Sequence, residues 1–482
     1  MSLSLVFRVV AILLLIISGF MLVPVVVAIA YDELWTIPGF LIPVGVTVSV
    51  ALLYLLVTRR EYGFLSNRGG FLLVSLAWLL ASVVGAFPFV ITGAVDSYVD
   101  AFFETMSGFT TTGASILTDI EALPHSLLFW RSLTHWLGGM GIIVLTVAIF
   151  PLLGIGGLQI IKAEAPGPSV DKITPKVTET AKILWFTYLI FTAAEVLLLL
   201  LGGMNLFDAL THTFGTLATG GFSPKNTSVG YFDSAYIDAV ITLFMVMAGI
   251  NFALYYKLIT GRFTSLPRDT ELKAYLSFFV VATALVTMSL YGDVFDTVGE
   301  SLRFAAFQAA SILTTTGYAT ADFAAWPAIA QILLFALMFV GGSAGSTGGG
   351  IKVIRIVTLF KQGMNEMKYL LHPRGVFRIR VSGEPVGKHI VYAISGFVFL
   401  YFFLLILTTI LVAMAGNDIL TALTTALATL GNIGPGFGKI GPTLNYAFFP
   451  EPLKLYLSII MMLGRLEVYT VLILFTPRFW KR

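Results

Sequence analysis

The sequence predicts an all-α polytopic membrane protein of about ten transmembrane helices, and three observations carry that expectation. Hydrophobic residues make up 57% of the 482 and charged residues 11%, with a mean hydropathy of +0.91. That is more apolar surface than a soluble chain of this length can hide, so lipid is the expected surrounding for most of it. Apolar runs of spanning length lie near 9–30, 37–57, 71–94, 127–153, 183–204, 236–256, 274–291, 328–360, 390–415 and 453–476. Finally, 23 of the 29 basic residues fall in segments that an arrangement of ten spans puts on one face: Arg8, Arg59/Arg60/Arg68, Lys162–Lys182, Lys257–Lys273, Lys352–Lys388 and Arg478–Arg482. The gaps between are acidic, at Asp32, Asp96, Asp233, Asp293 and Asp322. The positive-inside rule then places both termini and the basic loops in the cytoplasm.

Taken in order, the first run ends in Ala28-Ile29-Ala30, which mimics a signal-peptidase site. The run is long enough to span, so a retained helix is expected. Cysteine is absent, which excludes disulfides and thiolate ligands. After two leading spans, several gaps hold a shorter amphiphilic segment of roughly 12–18 residues, too brief to cross and suited to a re-entrant helix. Each such segment runs into a polar strip. The strips are "TTTGA" at Thr110–Ala114, "LATGG" at Leu217–Gly221, "TTTGY" at Thr314–Tyr318 and "GNIGP" at Gly431–Pro435. Aligned on Gly113, Gly220, Gly317 and Gly434, they recur at intervals of 107, 97 and 117 residues. The unit is span, short helix, strip, span, repeated four times.

Glycine and threonine also serve close packing of membrane helices, and a single strip would mean little. Four strips at the same place in a repeat point to one device. An extended backbone aims successive carbonyls toward an axis, and four strips around that axis make rings of oxygen dipoles that replace a cation's hydration shell. Glycine gives access to positive φ. Oxygen-only coordination suits a hard monovalent cation, and the short helices can point their negative C-terminal ends toward it. The expected filter is Thr111, Thr112 and Gly113; Ala218, Thr219 and Gly220; Thr315, Thr316 and Gly317; and Asn432, Ile433 and Gly434. In this alignment Ala218 stands where repeats one and three have threonine.

The run "GGSAGSTGGG" at Gly341–Gly350 interrupts the second span of the third repeat. It resembles a phosphate-binding loop only loosely, because Ile351 separates the last glycine from Lys352 and no strand precedes it. A helix of that composition should break, and loose backbone at membrane depth must line water or protein. Arg465, deep in the last span, should face a cavity or pair with Glu195, Glu104 or backbone carbonyls. The five histidines are scattered and receive no metal role.

The four strips, with "GGMGIIVLTVAIFPLLGIGG" at 138–157, "KAEAPGPSVDKITPKVTETAKILW" at 162–185, "GGSAGSTGGGIKVIR" at 341–355 and "GRLEVYTVLIL" at 464–474, resemble the TrkH family. These are membrane subunits of bacterial Trk potassium-uptake systems, in the Trk/Ktr/HKT superfamily. The resemblance implies a fourfold pseudo-symmetric, potassium-channel-like fold in one polypeptide. It also implies a homodimer in the bacterial inner membrane and a cytosolic nucleotide-binding TrkA-like ring. No nucleic acid and no covalently bound cofactor are expected, potassium being the substrate. The family assigns gating to the positions matching Gly341, Gly342, Gly345, Gly348, Gly349, Gly350 and Arg465. The expected organisation is two leading helices (1–68), pore repeats at 69–162, 163–261 and 262–361, the last holding the gating loop 341–350, and a fourth repeat at 362–482. A symporter coupling potassium to sodium or protons through Glu104, Glu195 or Asp100 is the alternative. An enzyme is disfavoured, since no intramembrane Ser/Lys, H-E-x-x-H or paired-aspartate arrangement stands in the sequence.

Overall fold

A computed structural model describes residues 3–58, 65–141, 177–261 and 263–481. The expected Arg59/Arg60 loop, the end of the 127–153 run, the basic stretch from Lys162 to Lys176 and Arg482 lie outside the described residues.

The fold is the all-helical membrane architecture that the composition requires. Among the described residues, six helical segments are long and apolar enough to cross a bilayer: Leu3–Ala30, Leu34–Val57, Asn67–Ile91, Ala181–Leu201, Thr270–Leu290 and Lys388–Met414. Their outward faces carry large apolar side chains such as Leu56, Leu201, Met288 and Phe399, which lipid must solvate. The only strands among the described residues form a small hairpin, Arg380–Val381 with Glu384–Pro385, on the basic face.

Short helices follow four of these spans: Tyr98–Phe109, Leu206–Leu217, Val298–Leu313 and Ile419–Leu430. Each begins at a polar cap whose side chain accepts a backbone N–H: Ser97 from Val99, Asn205 from Asp208, Thr297 from Glu300 and Asp418 from Thr421. At about 1.5 Å per residue, helices of 12 to 16 residues reach only part-way through a bilayer.

The second spans depart from the sequence expectation. The runs 236–256 and 453–476 are not continuous helices. Ala235–Ala248 and Phe252–Ile259 meet at 94°, and Glu451–Arg465 and Tyr469–Phe475 at 114°. In the first pair Asn251 leaves the helical path and caps the next helix by accepting from Ala253 N. In the second, Glu467 and Val468 both lie at positive φ, a conformation that is unfavourable for a β-branched residue and ends the helix. The third repeat breaks as anticipated: Ala328–Leu337 gives way to a non-helical loop before Val353–Leu371. In the first repeat the helix His125–Gly139 stops at its double glycine.

The two faces also hold together. On the basic face, Arg68 bonds to the Lys481 carbonyl, Lys361 to that of Arg380, and Thr270 and Ser382 bond each other. On the opposite face, Asn226 bonds to Asp119 and Glu121, and Arg303 pairs with Asp233 and Asp238.

Candidate ion-conduction site

All four short helices end alike. Residues Thr111, Thr219, Thr315 and Asn432 take left-handed φ between 52° and 59°. The N–H of the next residue then reaches back to a carbonyl of the last turn: Thr112 to Ser107, Gly220 to Gly215, Thr316 to Ser311 and Ile433 to Ala428, at 2.8–2.9 Å. The residue after that is a glycine, again at positive φ: Gly113 (80°), Gly221 (79°), Gly317 (82°) and Gly434 (92°).

This corrects the alignment of the second strip. Its left-handed glycine is Gly221, not Gly220. Gly220 occupies the place of Thr112, Thr316 and Ile433, and Ala218 that of Thr110, Thr314 and Gly431. Packing between strips gives the reason. A Cβ on Gly113 would overlap the Gly220 carbonyl, one on Gly221 that of Thr316, and one on Gly317 that of Ile433. On Gly434 it would stand 2.7 Å from the Thr112 carbonyl oxygen. Strip one therefore abuts two, two abuts three, three abuts four and four abuts one, a closed ring. Gly220 is glycine for a different reason: a Cβ there would meet the His135 ring at 2.5–2.7 Å.

The strips are buried apart from the half-buried Gly113, Gly221, Gly317 and Pro435, yet their carbonyls are largely unbonded. Those of Thr111–Gly113, Thr219, Gly221, Thr315–Gly317, Asn432 and Ile433 accept no hydrogen bond among the described residues. Buried carbonyls are ordinarily paired, so this concentration in one ring marks a place where oxygens are kept for something else. Most of the hydroxyls brace. Thr112 bonds to Thr110 and Thr316 to Thr314, both at 2.8 Å, and Asn432 Nδ2 donates to Thr112 Oγ1 and the Met461 carbonyl. The Thr111 hydroxyl has no partner among the described residues.

Directly against the ring lies the loop of the third repeat. Gly349 N donates to Thr315 Oγ1 at 2.7 Å, and a Cβ on Gly349 would stand 2.6 Å from the Gly431 carbonyl. The loop also takes up the backbone groups freed by the break in repeat two. Ser343 N donates to the Gly249 carbonyl, Thr347 N to that of Ala248, and Phe252 N to that of Gly345. Gly341 N closes back on the Ile351 carbonyl, and Val353 N on that of Gly342. Lys352 Nζ donates to the Gly348 carbonyl. Gly345 and Gly350 take left-handed φ of 74° and 65°.

Arg465 resolves onto backbone carbonyls rather than Glu195 or Glu104. Its guanidinium donates to Thr347 at 2.7 Å, to Gly138 at 2.7 Å and to Gly139 at 3.0 Å. One side chain at the break of repeat four thus joins the loop of repeat three to the break of repeat one. Glu467 pairs with Arg355.

A family model described as TrkH, cation transport protein, matches residues 44–482. The chain belongs to the TrkH family. It is 41% identical over 478 residues to the Trk system potassium uptake protein TrkH of Salmonella typhimurium, covering 98% of each chain. To the TrkG protein of Escherichia coli it is 36% identical over 465 residues, covering 96% of this chain and 95% of the other. The crystal structure of the potassium transporter TrkH from Vibrio parahaemolyticus aligns over 100% of both chains, with a TM-score of 0.90 and 38% identity. TrkH proteins are transport proteins, and this multi-pass membrane chain is not an enzyme.

Among the carboxylates, the TrkH-family chain uses Glu104 as a brace. It accepts from Arg131 Nε at 2.6 Å, Ser115 Oγ at 2.9 Å and Ile116 N at 2.9 Å, while Arg131 reaches the Ser223 carbonyl of the next strip. Asp100 is paired with Lys454 at 2.6 Å. Glu195 is fully buried, and neither of its oxygens has a hydrogen-bond partner among the described residues. His212 sits one repeat on from Glu104 and does the same work, bonding to Ser223 Oγ at 3.0 Å, and His135 bonds to the Gly108 carbonyl. Sequence reasoning missed the breaks in repeats two and four and the residues clamping the loop. A signal for the breaks was present: Gly138/Gly139, Gly249, Gly341/Gly342 and Gly464 put glycine inside every second span.

Proposed function

We propose that this chain takes up potassium by conducting it through the ring of four strips, across a bacterial inner membrane. The observation that carries the reading is the closed ring of strips whose carbonyls are largely left without hydrogen bonds, which offers oxygen ligands to a dehydrated monovalent cation. Relatives named as potassium uptake proteins over nearly the full length supply the choice of ion. The coordinating positions are the unbonded carbonyls of Thr111–Gly113, Thr219, Gly221, Thr315–Gly317, Asn432 and Ile433, while the Gly434 carbonyl accepts from the Tyr446 hydroxyl at 2.6 Å. The loop Gly341–Gly350, with Arg465, is the gate on the cytoplasmic side of the ring. A guanidinium at that depth opposes a cation in a low-dielectric path by a few kcal/mol, on the order of a hundredfold in rate. A homodimer, and a TrkA-like nucleotide-binding ring docked on the basic face, complete the assembly.

Passive conduction is favoured over coupled transport by the state of the carboxylates. Glu104 and Asp100 are held by Arg131 and Lys454, which leaves Glu195 as the one candidate for a coupling role. Radiotracer potassium flux in proteoliposomes tests both readings, with sodium, rubidium and proton gradients varied singly. Flux that follows the potassium gradient alone is expected. Flux that reverses with a proton or sodium gradient at fixed potassium would establish the symporter, and absence of potassium selectivity would remove the filter.

A further inference from the structure

The loop is held by the Thr315 hydroxyl, by Arg465 and by a third group that lies on neither the ring nor the last span. Glu271 is the second residue of the span Thr270–Leu290, which Asp269 caps by accepting from Leu272 N. Its carboxylate is nearly buried. A single oxygen, Oε1, accepts from Ala344 N at 2.8 Å and from Ile354 N at 3.0 Å. One of these N–H groups lies inside the glycine run and the other beyond its end. Ala344 precedes Thr347–Gly350, and Ile354 is in the first turn of the helix Val353–Leu371 that leads out of the loop. N–H groups in a first turn have no partner within their own helix, and a carboxylate there is favoured by the helix dipole. Glu271 therefore ties the loop at Ala344 to the helix that leads out of it.

The same span start is wired to the cytoplasmic surface. Thr270 N donates to Ser382 Oγ at 3.1 Å, and Ser382 N donates back to Thr270 Oγ1 at 2.8 Å. Ser382 is in the turn of the Arg380–Pro385 hairpin, within the basic stretch Lys352–Lys388. A displacement of that hairpin is delivered to the residue adjoining Glu271.

We propose that Glu271 is a positioning residue that latches the loop Gly341–Gly350 shut, and that the 380–385 hairpin is the handle by which the cytoplasmic side releases it. The inference rests on the reading of the loop as a gate. With the latch engaged, the helix Val353–Leu371 cannot swing without breaking the Ile354 bond, nor the loop withdraw without breaking the Ala344 bond. With it released, the loop keeps Arg465, Thr315 and its backbone bonds to Ala248, Gly249 and Phe252. Alanine removes both bonds, whereas glutamine keeps an oxygen that accepts them and loses the charge.

The test uses the full-length chain, which has no cysteine of its own. Ser343 is buried in the loop and its hydroxyl has no partner among the described residues, so Ser343→Cys places a reporter thiol there at little expense in contacts. Potassium flux and thiol labelling by a membrane-impermeant reagent are measured for Glu271→Ala, Glu271→Gln and Ser382→Ala, with deletion of Gly348–Gly350 as the control for the gate. Expected are a rise of about tenfold in flux and in labelling rate for Glu271→Ala, and about threefold for Glu271→Gln and Ser382→Ala. If the alanine variant fails to insert, the glutamine variant decides alone. Should the deletion raise flux while neither Glu271 variant changes flux or labelling, the latch is overturned and the gate stands. Should the deletion itself leave flux unchanged, the gate is wrong and the latch falls with it.

Discussion

Replacing Gly221 by alanine should damage potassium conduction far more than replacing its neighbour Gly220. Gly221 lies at φ 79°, where an L-residue is disfavoured by roughly 1–2 kcal/mol, and its Cβ would overlap the Thr316 carbonyl. That carbonyl must retreat by about 1 Å to reach a tolerable contact, and an attraction falling as 1/r loses about a quarter of its strength between roughly 3 and 4 Å. The conformational strain alone corresponds to about 5- to 30-fold in an equilibrium. At Gly220 the backbone is ordinary and the obstacle is the His135 ring, 2.5–2.7 Å from the added atom. The assay is potassium and sodium flux at equal membrane abundance, in single variants and in combination with His135→Ala. Gly221→Ala should lose at least tenfold in potassium flux, or admit sodium, whether or not His135 is present. Gly220→Ala should be partly restored by His135→Ala, because those two groups are in contact and their effects do not add. The opposite pattern, with Gly221→Ala silent and Gly220→Ala damaging even beside His135→Ala, would refute the closed ring of left-handed glycines.

Arg465→Ala should raise flux and weaken control by a cytosolic partner, since it releases the loop at Thr347 and repeat one at Gly138 and Gly139 together; equal or lower flux counts against a gate. Arg131→Met should destabilise the fold by about 3–5 kcal/mol by stranding buried Glu104, visible as a lowered melting temperature in detergent. Glu33 gives a pH prediction. Burial pushes its carboxyl up, but hydrogen bonds from the backbones of Ser126 and His125 and from their side chains outweigh this and hold it below its ordinary 4.5. The stabilisation is therefore present above that value and lost as pH falls through the depressed one. Melting temperatures of the native chain and Glu33→Gln should differ at neutral pH and converge in acid, and a constant difference would assign the effect to packing instead.

The membrane class, the fourfold repeat and the position of the glycine-rich loop were legible in the sequence because hydropathy, glycine runs and charge are local quantities. A run such as Lys388–Met414 must meet lipid whatever surrounds it, and no arrangement of neighbours makes "GGSAGSTGGG" a good helix. The register of the second strip was not legible. "ATGG" offers two adjacent glycines, and only the Thr316 carbonyl of another repeat decides that Gly221 is the left-handed one. The same holds for the bends. Gly249 and Gly464 permit a break, but the helix Ala235–Ala248 ends where it does because Ser343, Thr347 and Gly345, about a hundred residues away, accept or supply the hydrogen bonds that its interruption frees. Arg465 read alone could have faced a carboxylate, and tertiary structure gave it three carbonyls from two other repeats. Composition settles which solvent each segment needs; which buried polar group meets which is a non-local question, settled only when the four repeats close around one axis.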